Sequence, residues 1–354
     1  MENAFLSLIR LGIGTGSTDS IPDNFNWDSI RALAVQQGLA AIVIDGTEKL
    51  SESLRPPKEQ LLEWIGEVLQ NYEYRYDLYC RAIAEMAGFY NSHGLKMMVL
   101  KGYACGLNWP KPEHRPCGDI DIWLFGKQKE ADALVAKEIG IRIDNSHHHH
   151  TVFSWREFTV ENHYDFINVY HHKSNKNFEK ILKDLGKDDS CTVDVLGEKI
   201  NLPSPNFHAL FLLKHLTMHF AAGAIRLRML LDWGFFVEKH GKAIHWDWLH
   251  ETLESFGLTS IINVFNAICV EELGFESRIF PQIQFSPHIK DRVIKEILSP
   301  EIPNEKPKFI LNRIIWKYKR WKANEWKHEL CYKESMWSAF WSGAWNHLLK
   351  PSSI

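Results

Sequence analysis

The spacing of apolar residues changes twice along this chain of 354 residues. From Trp27 to about Ser92, apolar positions recur every three or four residues, which is the period of amphipathic helices. Pro57 precedes one such run and suits the first turn of a helix. From Asn177 onward the helical period returns. The pattern therefore predicts helices on both sides of a middle segment that has a different period.

The middle segment shows the short runs and the alternation of β-strands. Residues 95–101 form a short apolar run, and residues 151–155 and 158–163 alternate around a turn near Arg156, which predicts a hairpin. A helix is expected over residues 127–138. Strand, helix and hairpin in this order predict a small mixed sheet.

Two later segments complete the expected architecture. Residues 191–202 have a Leu-Gly-Glu centre and predict a short β-hairpin, and residues 207–221 predict a long helix with Asn206 as its N-cap. The expected fold class is α+β, with a small mixed sheet at its centre. We expect an N-terminal helical region over residues 1–92, the sheet core over 93–175, and a C-terminal helical region over 176–354.

Composition narrows the class of protein. A hydrophobic content of 45% with 24% charged residues is typical of a globular chain, and a net charge of −3 gives no overall attraction to nucleic acid or anionic membranes. Apolar runs fall short of the ~20 residues that a transmembrane helix needs, and the start MENAFLSLIRLG lacks the basic region of a secretory signal. The six cysteines form no C-x-x-C pair. We expect a cytoplasmic protein with reduced thiols.

The segment RPCGDIDIWL, residues 115–124, places two carboxylates in an apolar alternation. On a strand, Asp119 and Asp121 point to the same side and repel each other unless a cation lies between them. A same-side pair after a glycine is what two-metal nucleotidyl transfer requires, with two Mg²⁺ ions about 4 Å apart and a third carboxylate holding one of them. An exposed strand with an acidic face is the ordinary alternative.

Three motifs over residues 95–165 carry a family resemblance. They are Val99-Leu-Lys-Gly-Tyr, then Arg115-Pro-Cys-Gly-Asp-Ile-Asp-Ile, and then Val160-Glu-Asn-His-Tyr. In this order they resemble the DNA-polymerase-β-type nucleotidyltransferase superfamily, and within it a family of uncharacterised bacterial nucleotidyltransferases with K-G, R-x-x-x-D-x-D and V-E-x-H-[WY] elements. The resemblance implies a mixed sheet flanked by helices.

The resemblance also implies a set of metal ligands. Asp119 and Asp121 correspond to the paired ligands, and Glu161 to the third carboxylate on the neighbouring strand. Asp165 is the alternative third ligand if the strand register is shifted. His163 lies on the same side of its strand as Glu161 and is a candidate nucleotide contact. The implied cofactor is Mg²⁺ or Mn²⁺.

The remaining motif residues would handle phosphate. Lys101 and Gly102 fall where a short turn enters a helix, whose free N–H groups suit a triphosphate. Many superfamily members carry Gly-Ser at this turn, whereas this chain has Lys101-Gly102-Tyr103. Arg115 would contact phosphate or substrate, or would neutralise the aspartates when no metal is bound.

A run of four histidines, residues 147–150, lies just before the expected hairpin. Histidine-rich tracts can bind transition metals. The family resemblance does not require these residues, so we interpret them as the polar beginning of a strand near the site, with a metal role as the alternative.

Another group of polar residues lies on the helices that follow the sheet. His208, His215 and His219 share one helical face by their spacings of seven and four. The ordinary interpretation is that these histidines are buried and hydrogen-bonded. The more specific interpretation is that they contact a nucleotide. Arg228 and Asp232, also four residues apart, predict either a helix ion pair or contacts with a base or ribose.

The C-terminal region mixes basic and aromatic residues, beginning with residues 306–322. Such a helix can lie on a membrane surface or stack on single-stranded RNA, whereas a helix packed on the body with its lysines outside gives the same composition. The tryptophans concerned are Trp316, Trp321, Trp326, Trp337, Trp341 and Trp345.

These observations favour a Mg²⁺-dependent nucleotidyltransferase. It would transfer a nucleoside monophosphate from an NTP to an unknown acceptor, which could be a small molecule, an RNA or a protein. Two alternatives stay open, namely a glycosyltransferase that uses D-x-D to bind Mn²⁺ and a nucleotide sugar, and a non-catalytic nucleotide- or RNA-binding protein.

Overall fold

The structure is a computed structural model, and it describes residues 1–22, 25–170, 172–188, 191–223, 225–281, 284–302, 307, 309–339 and 341. The chain forms two compact units. The first comprises Met1–Glu73, Asn108–Pro116 and Leu213–Lys333. The second comprises Tyr74–Leu107, Cys117–Leu212 and Glu334–Ile354. In the described part of the chain, no helix is both long and apolar enough to cross a membrane.

The first unit is helical. Before the sheet segment it contains α1 (Glu2–Ile13), α2 (Trp27–Gln37), α3 (Ala40–Glu48) and α4 (Lys58–Val68). Later in the chain it contains α10 (Leu227–His240), α11 (Trp246–Ser255), α12 (Thr259–Glu271), α13 (Pro287–Leu298), α14 (Ile310–Ala323) and α15 (Glu325–Cys331). Short 3₁₀ turns lie at Thr18–Ser20, Glu52–Leu54, Pro112–His114, Gly241–Ala243 and Ser277–Ile279.

The second unit carries the sheet. Its helices are α5 (Tyr74–Ser92), α6 (Lys101–Gly106), α7 (Gln128–Leu134) and α8 (Ser174–Leu185). Its strands are β1 (Met98–Val99), β2 (Ile120–Trp123), β3 (His150–Trp155), β4 (Phe158–His163), β5 (Thr192–Val195) and β6 (Glu198–Asn201). Helix α9 (Pro205–Ala222) has residues in both units, and π-helical turns occupy Leu69–Glu73 and Val135–Ile139. Because α9 begins at Pro205, Asn206 lies inside its first turn, which corrects the expected N-cap.

The six strands form one mixed sheet in the order β3-β4-β2-β1-β6-β5. The pairs β2/β4 and β1/β6 are parallel, while β1/β2, β3/β4 and β5/β6 are antiparallel. Arg156 and Leu196 adopt left-handed φ values of 51° and 52° at the two hairpin turns, which such tight turns require. The α+β class with a mixed sheet is therefore confirmed.

The sheet is anchored by a core that lies between its strands and α5. Ile120, Ile122 and Val160 are fully buried, and Tyr79 and Tyr90 of α5 pack in the same cluster. Ile120 and Ile122 of β2 thus face this core, while the residues that alternate with them face away from it. The same alternation directs the acids of β2 and β4 to the other side of the sheet.

Within the first unit, Lys327 of α15 connects the last helices to α13 and to the residues that follow α9. This lysine is 1% exposed, and its Nζ lies 2.6 Å from Glu296 and 2.9 Å from the carbonyl of Gly223. Trp326 packs edge-on against Phe220 with ring centroids 5.6 Å apart. Trp337 and Trp341 are exposed, whereas residue 306 and Trp345 lie outside the described residues.

In the first unit, α1 and α3 approach so closely that glycine is needed at their contact. A Cβ on Gly46 would collide with the carbonyl oxygen of Leu8, and a Cβ on Gly12 would collide with that of Ile42. Gly66 in α4, in contrast, has open space around its Cα.

We expect Gly46→Ala to lower the free energy of unfolding by about 1–3 kcal/mol, because backbone atoms at the helix contact must move apart. Gly66→Ala is the matched control and should raise it by about 0.5–1 kcal/mol, since alanine favours a helix interior without a clash. Urea denaturation of both variants tests this. Equal effects of the two substitutions would contradict the close helix contact.

Candidate active site

The paired aspartates lie at the start of β2. Asp121 is inside the strand and 7% exposed, whereas Asp119 precedes the strand and keeps contact with solvent. Ile120 and Ile122 point into the core from the opposite side. The alternation in the sequence therefore has a direct structural cause, because only the apolar positions of β2 face the core.

The neighbouring parallel strand β4 brings a third acid to this spot. Asp121 is in register with Glu161, and His163 follows two residues later on the same side of β4. One donor atom each from Asp121, Glu161 and His163 lie within 4.8 Å of one another. The carboxyl of Asp165 instead forms an ion pair with Lys183 on α8.

His163 holds the two carboxylates together. Its Nδ1 donates a hydrogen bond to the carbonyl oxygen of Asp165 at 3.1 Å, and its Nε2 lies 3.0 Å from Asp121 Oδ1 and 3.6 Å from Glu161 Oε2. Because both nitrogens face oxygen acceptors, the geometry fits an imidazolium. Burial alone lowers the pKa of His163, but the bonds to Asp121 and Glu161 outweigh it and raise the pKa.

Lys101 is the second positively charged side chain beside Asp121, after His163. Its Nζ lies 2.8 Å from Asp121 Oδ1, and its backbone φ of 33° is a left-handed value that side chains rarely adopt. Burial opposes ionisation of Asp121, yet Lys101 and His163 hold the pKa of its carboxyl well below the usual range. Lys101 is also the first residue of α6, with Gly102 next.

Asp119 has a different electrostatic environment. Partial burial, followed by the negative charges of Glu161 and Asp121, raises the pKa of its carboxyl. Burial also works against ionisation of Glu161, but its hydrogen bond with His163 lowers the pKa of Glu161 overall. An added cation would relieve the repulsion that Asp119 feels from both neighbours.

Helix α5 fixes the backbone on which Asp119 stands. The hydroxyl of Tyr79 donates to the carbonyl of Asp119 at 2.9 Å, and Arg75 Nε donates to the carbonyl of Cys117 at 3.4 Å. The Arg75 guanidinium also covers the ring of Phe158 at 4.7 Å. Both contacts come from one face of α5, because Arg75 and Tyr79 are four residues apart.

A buried glutamate holds the loop that follows β4. The two oxygens of Glu179 accept hydrogen bonds from the backbone N–H groups of Phe166 and Ile167, at 2.9 and 3.0 Å. This loop contains the carbonyl of Asp165 that fixes His163. Burial raises the pKa of Glu179 to about 7, against the pull of those two N–H groups.

Two histidines of the four-residue run lie beside the acids. His150 is directly opposite His163 in the β3/β4 ladder, and its Nε2 lies 3.8 Å from Glu161 Oε1. His149 lies against both rings. Burial lowers the pKa of His149 to about 2 and that of His150 to about 4, so both imidazoles are neutral at physiological pH.

The other expected contacts lie in the helical unit. Arg115 donates two hydrogen bonds to Asp232, at 2.7 and 2.9 Å, and Trp109 Nε1 adds a third at 2.8 Å. This corrects two expectations. The cations against Asp121 are Lys101 and His163, and the observed partner of Asp232 is Arg115, whose planar fork matches both carboxylate oxygens.

Three further residues were expected as nucleotide contacts. Burial, and then the charge of Arg115, lowers the pKa of Arg228 to about 10, and its Nη1 lies 3.4 Å from the carbonyl of Pro116. His215 and His219 stack edge-on on α9 with ring centroids 4.2 Å apart, as their spacing of four implies.

The acids of β2 and β4 have the chemistry of a divalent-cation site. Carboxylate oxygens from neighbouring strands converge, and Asp119, with its raised pKa, adds a third carboxylate at the edge. Without an ion, Lys101 and His163 compensate the negative charge of Asp121. The residues present therefore fit such an ion.

The mixed sheet thus sets Asp121 of one strand beside Glu161 of its parallel neighbour, with Asp119 just before the first of these strands. The chain belongs to the uncharacterised nucleotidyltransferase family, whose family model matches residues 23–274. This confirms the resemblance that the three sequence motifs indicate.

The other comparisons add little to this assignment. An antigenic nucleotidyltransferase-like protein from Paracoccidioides brasiliensis, known from its crystal structure, is 15% identical. The similarity covers 45% of this chain and 75% of that chain with a TM-score of 0.33. The search of curated proteins gave no match.

Sequence reasoning missed several residues that shape the site. Arg75, Tyr79 and Glu179 act from helices outside the three motifs, and nothing in their spacing alone shows which backbone they contact. The four-residue spacing of Arg75 and Tyr79 does place them on one helical face. This spacing is the sequence signal that could have identified them as a pair acting on one place.

We expect Glu179→Gln to change how stability depends on pH. Glu179 has a pKa raised from 4.5 to about 7, so its contribution is full below about pH 4.5 and is lost as the pH rises through 7. In the glutamine variant this loss, about 1–3 kcal/mol, should be absent.

Urea unfolding of both proteins at pH 5, 6, 7 and 8 measures this difference. The exposed Glu157→Gln at the β3/β4 turn is the control for the substitution itself. A parallel pH course for the wild type and Glu179→Gln would contradict the raised pKa.

Proposed function

We propose that the chain is a nucleotidyltransferase that depends on Mg²⁺, or on Mn²⁺ in its place. It transfers a nucleoside monophosphate from an NTP to a hydroxyl or phosphate of an acceptor. The single observation that carries this proposal is the register of the two parallel strands, which sets Asp121 beside Glu161 with Asp119 two residues before. Membership of the nucleotidyltransferase family supports the reaction class.

In this proposal Asp119, Asp121 and Glu161 hold the metal. When bound, Mg²⁺ would acidify the attacking hydroxyl and stabilise the charge of the departing pyrophosphate. Glu161 would favour the deprotonated acceptor. His163 positions Asp121 and Glu161, because it bonds to both while its other nitrogen is fixed by a backbone carbonyl.

Lys101 and Gly102 are the proposed phosphate contacts. The first N–H groups of a helix lack partners within the helix, and α6 begins at Lys101. Lys101 Nζ already lies against Asp121, so its charge is at the place where a triphosphate bound to the metal would need it. The left-handed backbone of Lys101 is the kind of strain that persists where the surrounding structure holds it.

We propose different roles for the residues of the helical unit that the sequence predicts as nucleotide contacts. Arg115 and Asp232 neutralise each other in a buried bidentate pair, which suits a positioning role. Arg228 is the stronger candidate for an anion contact, because its Nε is buried without a hydrogen-bond partner. His215 and His219 remain candidate nucleotide contacts.

The test uses Asp119→Asn, Asp121→Asn and Glu161→Gln. We expect each substitution to lower Mg²⁺-dependent transfer of label from an α-³²P-labelled NTP by at least about 100-fold, since each removes charge that holds the metal. Cell extract supplies acceptors, and each of the four NTPs is tried in turn. The control Asp184→Asn removes an exposed acid of α8 and should transfer like the wild type.

Two outcomes contradict the proposal. Undiminished transfer in Asp121→Asn shows that the acids of β2 do not carry the reaction. Tight NTP binding without transfer, and without any dependence on Mg²⁺, indicates a non-catalytic binding protein instead. Calorimetric titration of each NTP with and without Mg²⁺ separates the second outcome from a mere lack of acceptor.

A further inference from the structure

Three imidazoles gather beside the acidic site. The ring centroids of His149 and His150 are 4.2 Å apart, those of His150 and His163 5.2 Å, and those of His149 and His163 5.7 Å. One nitrogen from each ring lies within 4.8 Å of the other two. These rings come from two adjacent strands and the bend that precedes them, so the backbone holds them in place.

Two histidines of the cluster lack hydrogen bonds that buried histidines normally make. His150 is 6% exposed, and neither of its ring nitrogens has a hydrogen-bond partner. The Nδ1 of His149 is also buried without a partner. Leaving a buried polar group unpaired costs about 1–3 kcal/mol, so a core histidine is usually hydrogen-bonded. The unpaired nitrogens point to a ligand.

The chemistry of the cluster selects the ligand. Neutral imidazole is a ligand for Zn²⁺ and other transition metals, while Mg²⁺ and Ca²⁺ prefer oxygen atoms. At a Zn–N bond of 2.0–2.1 Å, tetrahedral ligands lie roughly 3.4 Å apart, so small side-chain rotations would close the set. Glu161 Oε1, 3.8 Å from His150 Nε2, offers an oxygen for the remaining position.

We propose that His149, His150 and His163 bind a transition-metal ion of the Zn²⁺ type, at a site whose main donors are imidazole nitrogens and not carboxylate oxygens. The inference stands without the proposed transferase reaction, because it depends only on the imidazoles. His163 belongs to both groups, since its Nε2 also bonds to Asp121. A metal bound to the His163 ring takes the place of a ring proton.

The test measures metal binding on the full chain after removal of metal with a chelator. Co²⁺ is titrated in the presence of excess Mg²⁺, and the visible absorption of Co²⁺ reports nitrogen coordination. We expect one equivalent of Co²⁺ to bind and Zn²⁺ to displace it. Excess Mg²⁺ occupies oxygen sites but does not compete for imidazole.

Matched variants separate the two sites. His149→Gln and His150→Gln should each weaken Co²⁺ binding by at least the roughly tenfold that loss of an outer partner costs, and the double variant should weaken it further. His250→Gln, an exposed histidine of α11, is the control. Asp119→Asn should keep Co²⁺ binding, because Asp119 lies outside the imidazole cluster.

Several results would overturn the proposal. They are absence of Co²⁺ binding, full displacement of Co²⁺ by Mg²⁺, unchanged binding in the double histidine variant, or loss of binding in Asp119→Asn. Should the histidine variants fail to fold, X-ray absorption of the Zn²⁺-loaded wild type counts the imidazole ligands directly. Three imidazoles support the site, and fewer than three refute it.

Discussion

The buried charge of Asp121 is the constraint around which the second unit is built. A carboxylate in a site that is 7% exposed costs several kcal/mol unless it is paired and hydrogen-bonded. Lys101 and His163 meet this need from two directions, one from the start of α6 and the other from β4. The backbone of Lys101, with its left-handed φ, and the register of β4 both place a cation against Asp121.

Rigid supports then keep the acids in position. Tyr79 holds the carbonyl of Asp119 from α5, and Glu179 holds the loop whose carbonyl orients His163. Each of these hydrogen bonds involves a backbone group of the site. Strand-borne acids backed by fixed hydrogen bonds are better suited to metal binding than acids on a loop, because their separation changes little with thermal motion.

Oxygen and nitrogen donors lie side by side on this sheet, and His163 connects them. On one side it bonds to Asp121 and Glu161, and on the other its ring lies near those of His149 and His150. A hard cation and a softer transition metal would therefore see different donor sets within one small region. The carboxylates serve the proposed transfer reaction, while His149 and His150 come from the run of four histidines.

Apolar periodicity alone determined that a small mixed sheet is flanked by helices and that Asp119 and Asp121 share a side, because a strand alternates its faces with period two. The order of the motifs determined the family. Periodicity does not specify which strands become neighbours, so only the tertiary structure set His163 against Asp121 from 42 residues away. It also paired Arg115 with Asp232 and left Lys101 to neutralise Asp121, since long side chains are assigned to partners by packing and charge burial that no local pattern records.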